Sequence, residues 1–185
     1  MIIHPESELE KADLLGESLV GAATEAAEML LELLGKDNNV RFRDGVDSAL
    51  QFVTEITVFY MHLIDRLAFA HLGPIRRETF GDRFVLAVLK ELLRELNKER
   101  SADEFGEAFL RAYKRRQMEY AQYKILIPDK DEPLKNTLFW EFSKILFGFL
   151  DDQNPATLML LNVLLIDMTE VVLNHTLKVE DVLRR

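Results

Sequence analysis

The chain has 185 residues, of which 48% are hydrophobic and 30% charged, and its formal net charge at pH 7 is −9. This length and composition are typical of one folded domain and exclude a disordered chain. Because there is no cysteine, disulfides, thiolate zinc sites and thiol nucleophiles are excluded too. An acidic surface repels phosphate backbones, so we expect no nucleic-acid partner. Residues 1–185 are predicted to form a single domain.

The N-terminal residues contain no basic region followed by an apolar run. The sequence therefore predicts no signal peptide and a cytoplasmic protein. The most apolar segment, 153–166, has fourteen residues. A membrane-spanning helix needs roughly 17–25. We therefore expect a buried helix in this segment and no membrane partner.

Apolar residues recur at three- and four-residue steps along most of the chain, which predicts an all-α fold. Helix 1 is predicted from Glu6 to Leu34, with Gly35 as its natural stop. Two internal glycines, Gly16 and Gly21, weaken the helix and allow a bend or a break.

Helix 2 is predicted over 47–72 and is apolar nearly all round, as is typical of a helix at the centre of a domain. Its predicted stop is Gly73-Pro74, because proline disrupts a helix interior. Helix 3 is predicted over 82–98. Helix 4 follows a capping box at 101–104 and is predicted to end near Lys124.

A loop over 125–132 leads to helix 5, predicted to begin around Pro133. Asn154-Pro155 places a capping residue before a proline and predicts the start of helix 6, which extends to about Leu177. The tail, 178–185, continues this helix or frays. The predicted architecture is a single-domain layered bundle of about six helices, with helices 2 and 6 central.

Ionisable residues on the two predicted central helices are informative, since a charge on a buried helix is costly unless it is paired or coordinated. The candidate ligand-binding residues are Glu55, His62, Asp65 and Arg66 on helix 2 and Asp167 and Glu170 on helix 6. Three interpretations are open. The residues form a buried salt-bridge network, or they lie at an oligomer seam or in a water-filled groove, or they bind a metal or a small ligand.

A metal site would use His62, Glu55, Asp167 and Glu170. The sequence contains neither the paired Glu-x-x-His motifs of di-iron bundles nor a His-Glu-x-x-His motif. One central imidazole is also a poor basis for a zinc site. We therefore expect no cofactor.

Arg116 is a further candidate, because it lies on the helix 4 stripe between Tyr113 and Tyr120. A guanidinium group among rings can bind a ligand carboxylate or phosphate. Alternatively, its stem packs on the rings while its charged end reaches water.

No serine lies in a Gly-x-Ser-x-Gly context and no Gly-rich phosphate loop occurs, so the sequence favours a protein that is not an enzyme. The large supply of apolar side chains favours an interaction module that self-associates as a homodimer, or that binds another protein. The alternative is a metal- or small-ligand-binding bundle, possibly an enzyme, that uses the polar residues of helices 2 and 6. A third hypothesis is a pocket for an apolar ligand between helices.

Overall fold

The computed structural model describes residues 5–38, 41–96, 102–127 and 135–184. Within these ranges the chain forms six α-helices and no strand. The helices are α1 Pro5–Asn38, α2 Val46–Leu96, α3 Ala102–Tyr120, α4 Leu138–Phe147, α5 Pro155–Val171 and α6 Val179–Arg184. The predicted all-α class is confirmed. Helix α2 contains predicted helices 2 and 3, and α3, α4 and α5 correspond to predicted helices 4, 5 and 6.

Helix α2 is bent sharply at Gly73, whose φ of 74° and ψ of 176° are not helical. The Arg77 Nε atom lies 2.7 Å from Oδ1 of Asp65, twelve residues earlier. On a straight helix these residues would be about 18 Å apart along the axis. The predicted stop at Gly73-Pro74 is therefore confirmed, and it separates a first arm, 46–72, from a second arm, 74–96. The predicted start of helix 3 at residue 82 is too late, since 75–81 are already helical.

Helix α1 packs along α2 and runs parallel to its second arm. Asp13 pairs with Arg83 at 2.6 Å. One turn further on, a Cβ atom on Gly16 would lie 2.5 Å from the Cβ of Ala87, so the two backbones approach closely there. Helix α1 continues through Gly16 and Gly21 without a break.

Aromatic rings join the first arm of α2 to α3 and α4. Phe59 stacks on Phe142 with ring centroids 3.9 Å apart. The Phe59 ring also forms T-shaped contacts with Phe139 and Tyr120, with ring centroids 5.1 Å and 5.7 Å apart. Because α2 also contacts α1 and α6, the predicted central position of helix 2 is confirmed.

Two predicted helix starts fall partly outside the described residues. Ser101 of the capping box lies outside them, and α3 begins at the next residue. The predicted start near Pro133 also lies outside, whereas α4 begins at Leu138. The Thr137 side chain caps α4 by accepting a hydrogen bond from the backbone N–H of Trp140 at 3.3 Å.

Helix α5 begins as predicted, with the Asn154 side chain accepting from the Ala156 N–H at 3.0 Å. A π-helical turn, Val172–Thr176, extends it. Together they form a 22-residue helix, Pro155–Thr176, which by its length and by the mean hydropathy of 1.9 in its most apolar window could span a membrane. The helix is therefore longer than the fourteen-residue apolar segment predicted from the sequence, and its length meets the requirement of a membrane span. In this structure 39% of its most apolar window is buried.

Predicted helix 6, which is α5 in the structure, was expected to be central, but only one of its faces is buried. Leu161, Leu165 and Met168 are buried against neighbouring helices, of which α1 and α4 are two. On the opposite face Met159 is 54% and Val163 55% exposed.

The C-terminal tail is ordered into a separate short helix. Lys178 has a positive φ of 47°, which ends the preceding π-helical segment. Val179 and Leu183 of α6 are buried against the bundle. The expectation that residues from 178 onward continue the previous helix or fray is therefore wrong.

Candidate functional site

A polar pocket of about 360 Å³ lies where the two arms of α2 meet α3. Its lining includes three of the predicted ligand-binding residues, and the bend at Gly73 brings both arms to it. The lining residues are His62, Asp65, Arg66, Phe69, Arg77, Gln117 and Ala121.

His62 is only 4% exposed, and its Nδ1 atom lies 2.6 Å from Oε1 of Gln117. An amide oxygen only accepts hydrogen bonds, so Nδ1 carries the proton in this arrangement. The Nε2 atoms of His62 and of Gln117 are both buried, and neither has a partner among the described residues. Burial lowers the pKa of His62 below 6.5; Arg66 and Arg77 lower it further, and the Gln117 hydrogen bond and Asp65 oppose the shift. At pH 7 the imidazole is therefore neutral.

The two arginines of the pocket have different partners. Arg77 donates to both carboxylate oxygens of Asp65, at 2.7 and 2.5 Å, and its guanidinium group lies 5.7 Å from the ring centroid of Phe69. Arg66 donates to the backbone carbonyl of Tyr123 at 2.6 Å. Among the described residues Arg66 forms no ion pair, so one positive charge in the lining lacks a carboxylate partner.

Glu55 lies outside this pocket, although it shares a face of α2 with His62. Its two carboxylate oxygens accept hydrogen bonds from Arg116 of α3, both at 2.8 Å. The side chains of Glu55 and Arg116 are 12% and 14% exposed. Glu119 also pairs with Arg116, at 2.5 Å. Through these ion pairs, Arg116 joins α3 to α2.

The structure separates the predicted helix 6 candidates from those on helix 2. Asp167 and Glu170 are exposed, on the side of α5 opposite Leu165, and the expectation that they lie in the interior is wrong. The four metal candidates are accordingly not brought together. In the part of the chain that the structure describes, no three histidine or acidic side chains are arranged to hold a metal ion.

An apolar groove of about 290 Å³ lies between α1 and α5 and continues over the π-helical turn. Met29 of α1 is 54% exposed and Val171 of α5 is 53% exposed, so large apolar side chains face solvent from both walls. The residues that line this α1/α5 groove are Ala22, Glu25, Ala26, Met29, Leu33, Leu164, Asp167, Met168, Val171, Val172 and Thr176.

The two walls of this groove are acidic. Neither 12–35 nor 155–177 contains a lysine or an arginine. These segments carry seven carboxylates, namely Asp13, Glu17, Glu25, Glu28, Glu32, Asp167 and Glu170. Of these seven, Glu25 and Asp167 line the groove, so both charged residues of its lining are acidic.

Two residues of the pocket, Gln117 and Arg77, were not predicted from the sequence. Gln117 lies three residues before Tyr120 on the predicted stripe of helix 4, so its helical face could have been found. Arg77 lies in a segment that was not assigned to a helix. Its approach to Asp65 depends on the angle of the bend at Gly73, which no local pattern specifies.

These two features differ in what they can bind. The polar pocket has hydrogen-bonding groups for a small polar molecule, and the groove has room for apolar side chains of a partner. Comparison with known proteins finds no matching family model, no matching curated protein and no matching solved structure.

Proposed function

We propose that this protein is a non-enzymatic interaction module whose α1/α5 groove binds a basic amphipathic helix of a partner protein. The observation that carries the proposal is an exposed apolar groove whose only charged lining residues are Glu25 and Asp167. An amphipathic helix can place its apolar face into such a groove and its basic residues beside the carboxylates.

The apolar part of the surface is larger than the groove itself. Beyond it, α5 also exposes Met159, Leu160 and Val163. Burying one such side chain fully contributes about 1.5–3 kcal/mol, so a few of them make a substantial difference to affinity. Met29 adds adaptability, because an unbranched thioether side chain can fit partners of different shape.

The charge of the groove restricts what can occupy it. The absence of lysine and arginine from both walls favours a cationic partner and accelerates its association at low salt. The same carboxylates repel nucleic acids and anionic lipid surfaces.

The competing occupant is a second copy of this chain, bound through the same apolar surface. A two-fold interface places a patch on its own copy, so Glu25 and Asp167 of both subunits would meet in one interface. Like charges at a partly desolvated contact are destabilising. A second copy is therefore a weaker fit than a basic helix. A lipid surface is another competitor, because Pro155–Thr176 is long and apolar.

The test uses a fluorescent model helix of leucine and lysine, with leucine at i, i+3, i+4 and i+7, and the same helix with glutamate in place of lysine. We expect anisotropy measurements to show saturable binding of the lysine helix only. Raising the salt from about 0.05 M to about 0.5 M shortens the Debye length and should weaken binding at least tenfold.

Two pairs of substitutions at exposed positions test whether the lysine helix binds in the groove. Met29→Lys with Val171→Lys places positive charge in the groove and should weaken binding of the lysine helix at least tenfold. The control pair, Leu86→Lys with Met118→Lys, changes residues that are 57% and 68% exposed and lie outside the groove. It should leave the affinity unchanged.

Three results would overturn this proposal. The first is equal binding of the lysine helix by the groove variant and the control variant. The second is a homodimer, seen by light scattering, that the groove pair alone dissociates, since the occupant would then be a second copy. The third is co-sedimentation with phosphatidylcholine vesicles that the groove pair alone abolishes, since the occupant would then be a lipid surface.

A further inference from the structure

We propose that the polar pocket between α2 and α3 binds a small oxyanion, with a carboxylate or phosphate head group, through Arg66, Gln117 and His62. This site is separate from the α1/α5 groove, and its function does not depend on a protein partner.

The first observation is a pair of buried hydrogen-bonding atoms without partners. The Nε2 atoms of His62 and Gln117 are buried, and none of the described residues satisfies them. Leaving such an atom unsatisfied costs about 1–3 kcal/mol, and most buried polar atoms in proteins do have a partner. His62 is 4% exposed and lines the pocket, so a bound group there would meet its ring.

The second observation is the charge of the lining. Both carboxylate oxygens of Asp65 accept from Arg77, which neutralises that pair. Arg66 forms no ion pair within the described ranges and contributes the remaining positive charge. In a chain with a net charge of −9, a pocket whose lining is positive favours an anion over a metal cation.

The geometry gives each group a role. The Gln117 amide N–H₂ and the Arg66 guanidinium group are donors to an oxyanion. His62 keeps its Nδ1–H on the oxygen of Gln117, and its buried Nε2 atom has no partner among the described residues. A neutral imidazole accepts a hydrogen bond from a protonated acid, and an imidazolium ion donates one to an anion.

Anion binding is therefore linked to protonation of His62. The groups around His62 are Asp65 and Arg66 on its own arm, Arg77 on the second arm, and Gln117 and Tyr120 on α3. The two guanidinium groups disfavour the imidazolium form and Asp65 favours it. A bound anion adds a second negative charge, so binding should take up a proton and become tighter as the pH falls.

The size of the pocket suits a small molecule. Liquid water occupies about 30 Å³ per molecule, so a volume of about 360 Å³ accommodates several waters or one anion of a few carbon atoms. Phe69, which is 54% exposed, supplies an apolar wall for the carbon part of an organic acid.

The experiment follows the Cε1–H resonance of His62 by NMR, assigned by its loss in His62→Gln. Sodium acetate and inorganic phosphate are the two probes, and sodium chloride at matched ionic strength is the control. We expect a saturable shift with at least one probe and a rise of about one unit in the pKa of His62. The probe that binds identifies whether the ligand is a carboxylate or a phosphate.

The variant Gln117→Glu tests whether the Gln117 amide donates a hydrogen bond to the anion. It retains an oxygen for the Nδ1–H of His62 but replaces the amide donor by a second carboxylate oxygen, so it should abolish the saturable shift. Gln122→Glu is the matched control, because it makes the same change at an exposed position of the chain outside the pocket lining. It should bind the probe like the unchanged protein.

The proposal is overturned if neither probe gives a saturable shift up to about 0.1 M, a concentration at which even a weak site is largely occupied. It is also overturned if chloride gives the same shift, or if Gln117→Glu binds as well as Gln122→Glu. None of these outcomes bears on the binding of a lysine helix, so failure of this site and failure of the groove can be told apart.

Discussion

Burial gives the His62 side chain a pKa below its usual 6.5, so protonation of this residue opposes folding. The unfolded chain takes up a proton near pH 6.5, whereas the folded protein takes it up only at lower pH. Between these two pKa values the unfolded state binds more protons, and the free energy of unfolding therefore decreases as the pH falls.

This linkage predicts that the protein is less stable at pH 5.5 than at pH 7.5, and that His62→Gln reduces the difference. Urea unfolding at the two pH values measures it. Comparing the pH dependence, rather than the absolute stability, removes any packing effect of the substitution. An equal pH dependence in His62→Gln and in the unchanged protein would show that this side chain is not buried neutral.

The residues of the polar pocket could be predicted from the sequence only in part. The shared helical face of His62, Asp65 and Arg66 follows from their spacing, and the structure places all three in one pocket. Their partners do not follow from spacing, because Arg77 approaches across the Gly73 bend and Gln117 comes from another helix. A local pattern gives the face of a helix but not the residue that packs against it.

Among the helices, the contact between α1 and the second arm of α2 depends on one glycine. A Cβ at Gly16 would lie 2.5 Å from Ala87 Cβ, whereas a Cβ at Gly21 meets nothing within 4 Å. Overpacking of this kind costs about 1–3 kcal/mol. At an open helical position, exchange of glycine for alanine instead gains up to about 1 kcal/mol.

We therefore expect Gly16→Ala to lower the free energy of unfolding by about 1–3 kcal/mol and Gly21→Ala to raise it slightly. Chemical denaturation of the two variants provides the comparison. Because both changes add the same methyl group to the same helix, effects of the same sign and size would contradict the close approach at Gly16.

Most helices could be predicted because their apolar residues recur along one helical face. Strong helix-breaking residues such as Gly73-Pro74 also mark where a helix ends. The buried side of α5 was harder to predict, because the sequence of an almost uniformly apolar helix does not show which side faces the core. Asp167 and Glu170 mark its exposed side, but Met159 and Val163 on the same side conceal this pattern. The α6 helix was missed because its burial depends on Val179 and Leu183 contacting distant parts of the chain.

Outside the α1/α5 groove, basic side chains pair with carboxylates: Arg76 with Glu8, Arg77 with Asp65 and Arg83 with Asp13. The basic residues Arg76, Arg77 and Arg83 lie on the second arm of α2, and a further basic cluster, 111–116, lies on α3. The walls of the α1/α5 groove carry no lysine or arginine. Under the proposed function, the carboxylates of Glu25 and Asp167 would attract an approaching basic partner toward the groove.

Methyl NMR of protein labelled at methionine, leucine and valine, titrated with the leucine–lysine helix, tests the location of the groove site most directly. We expect the shifted resonances to centre on Met29, Leu33, Leu164 and Val171, which line the groove. The methyl groups of Leu86 and Met118, exposed elsewhere, should not move. Shifts centred on those two residues, or no saturable shift at all, would contradict the proposed binding surface.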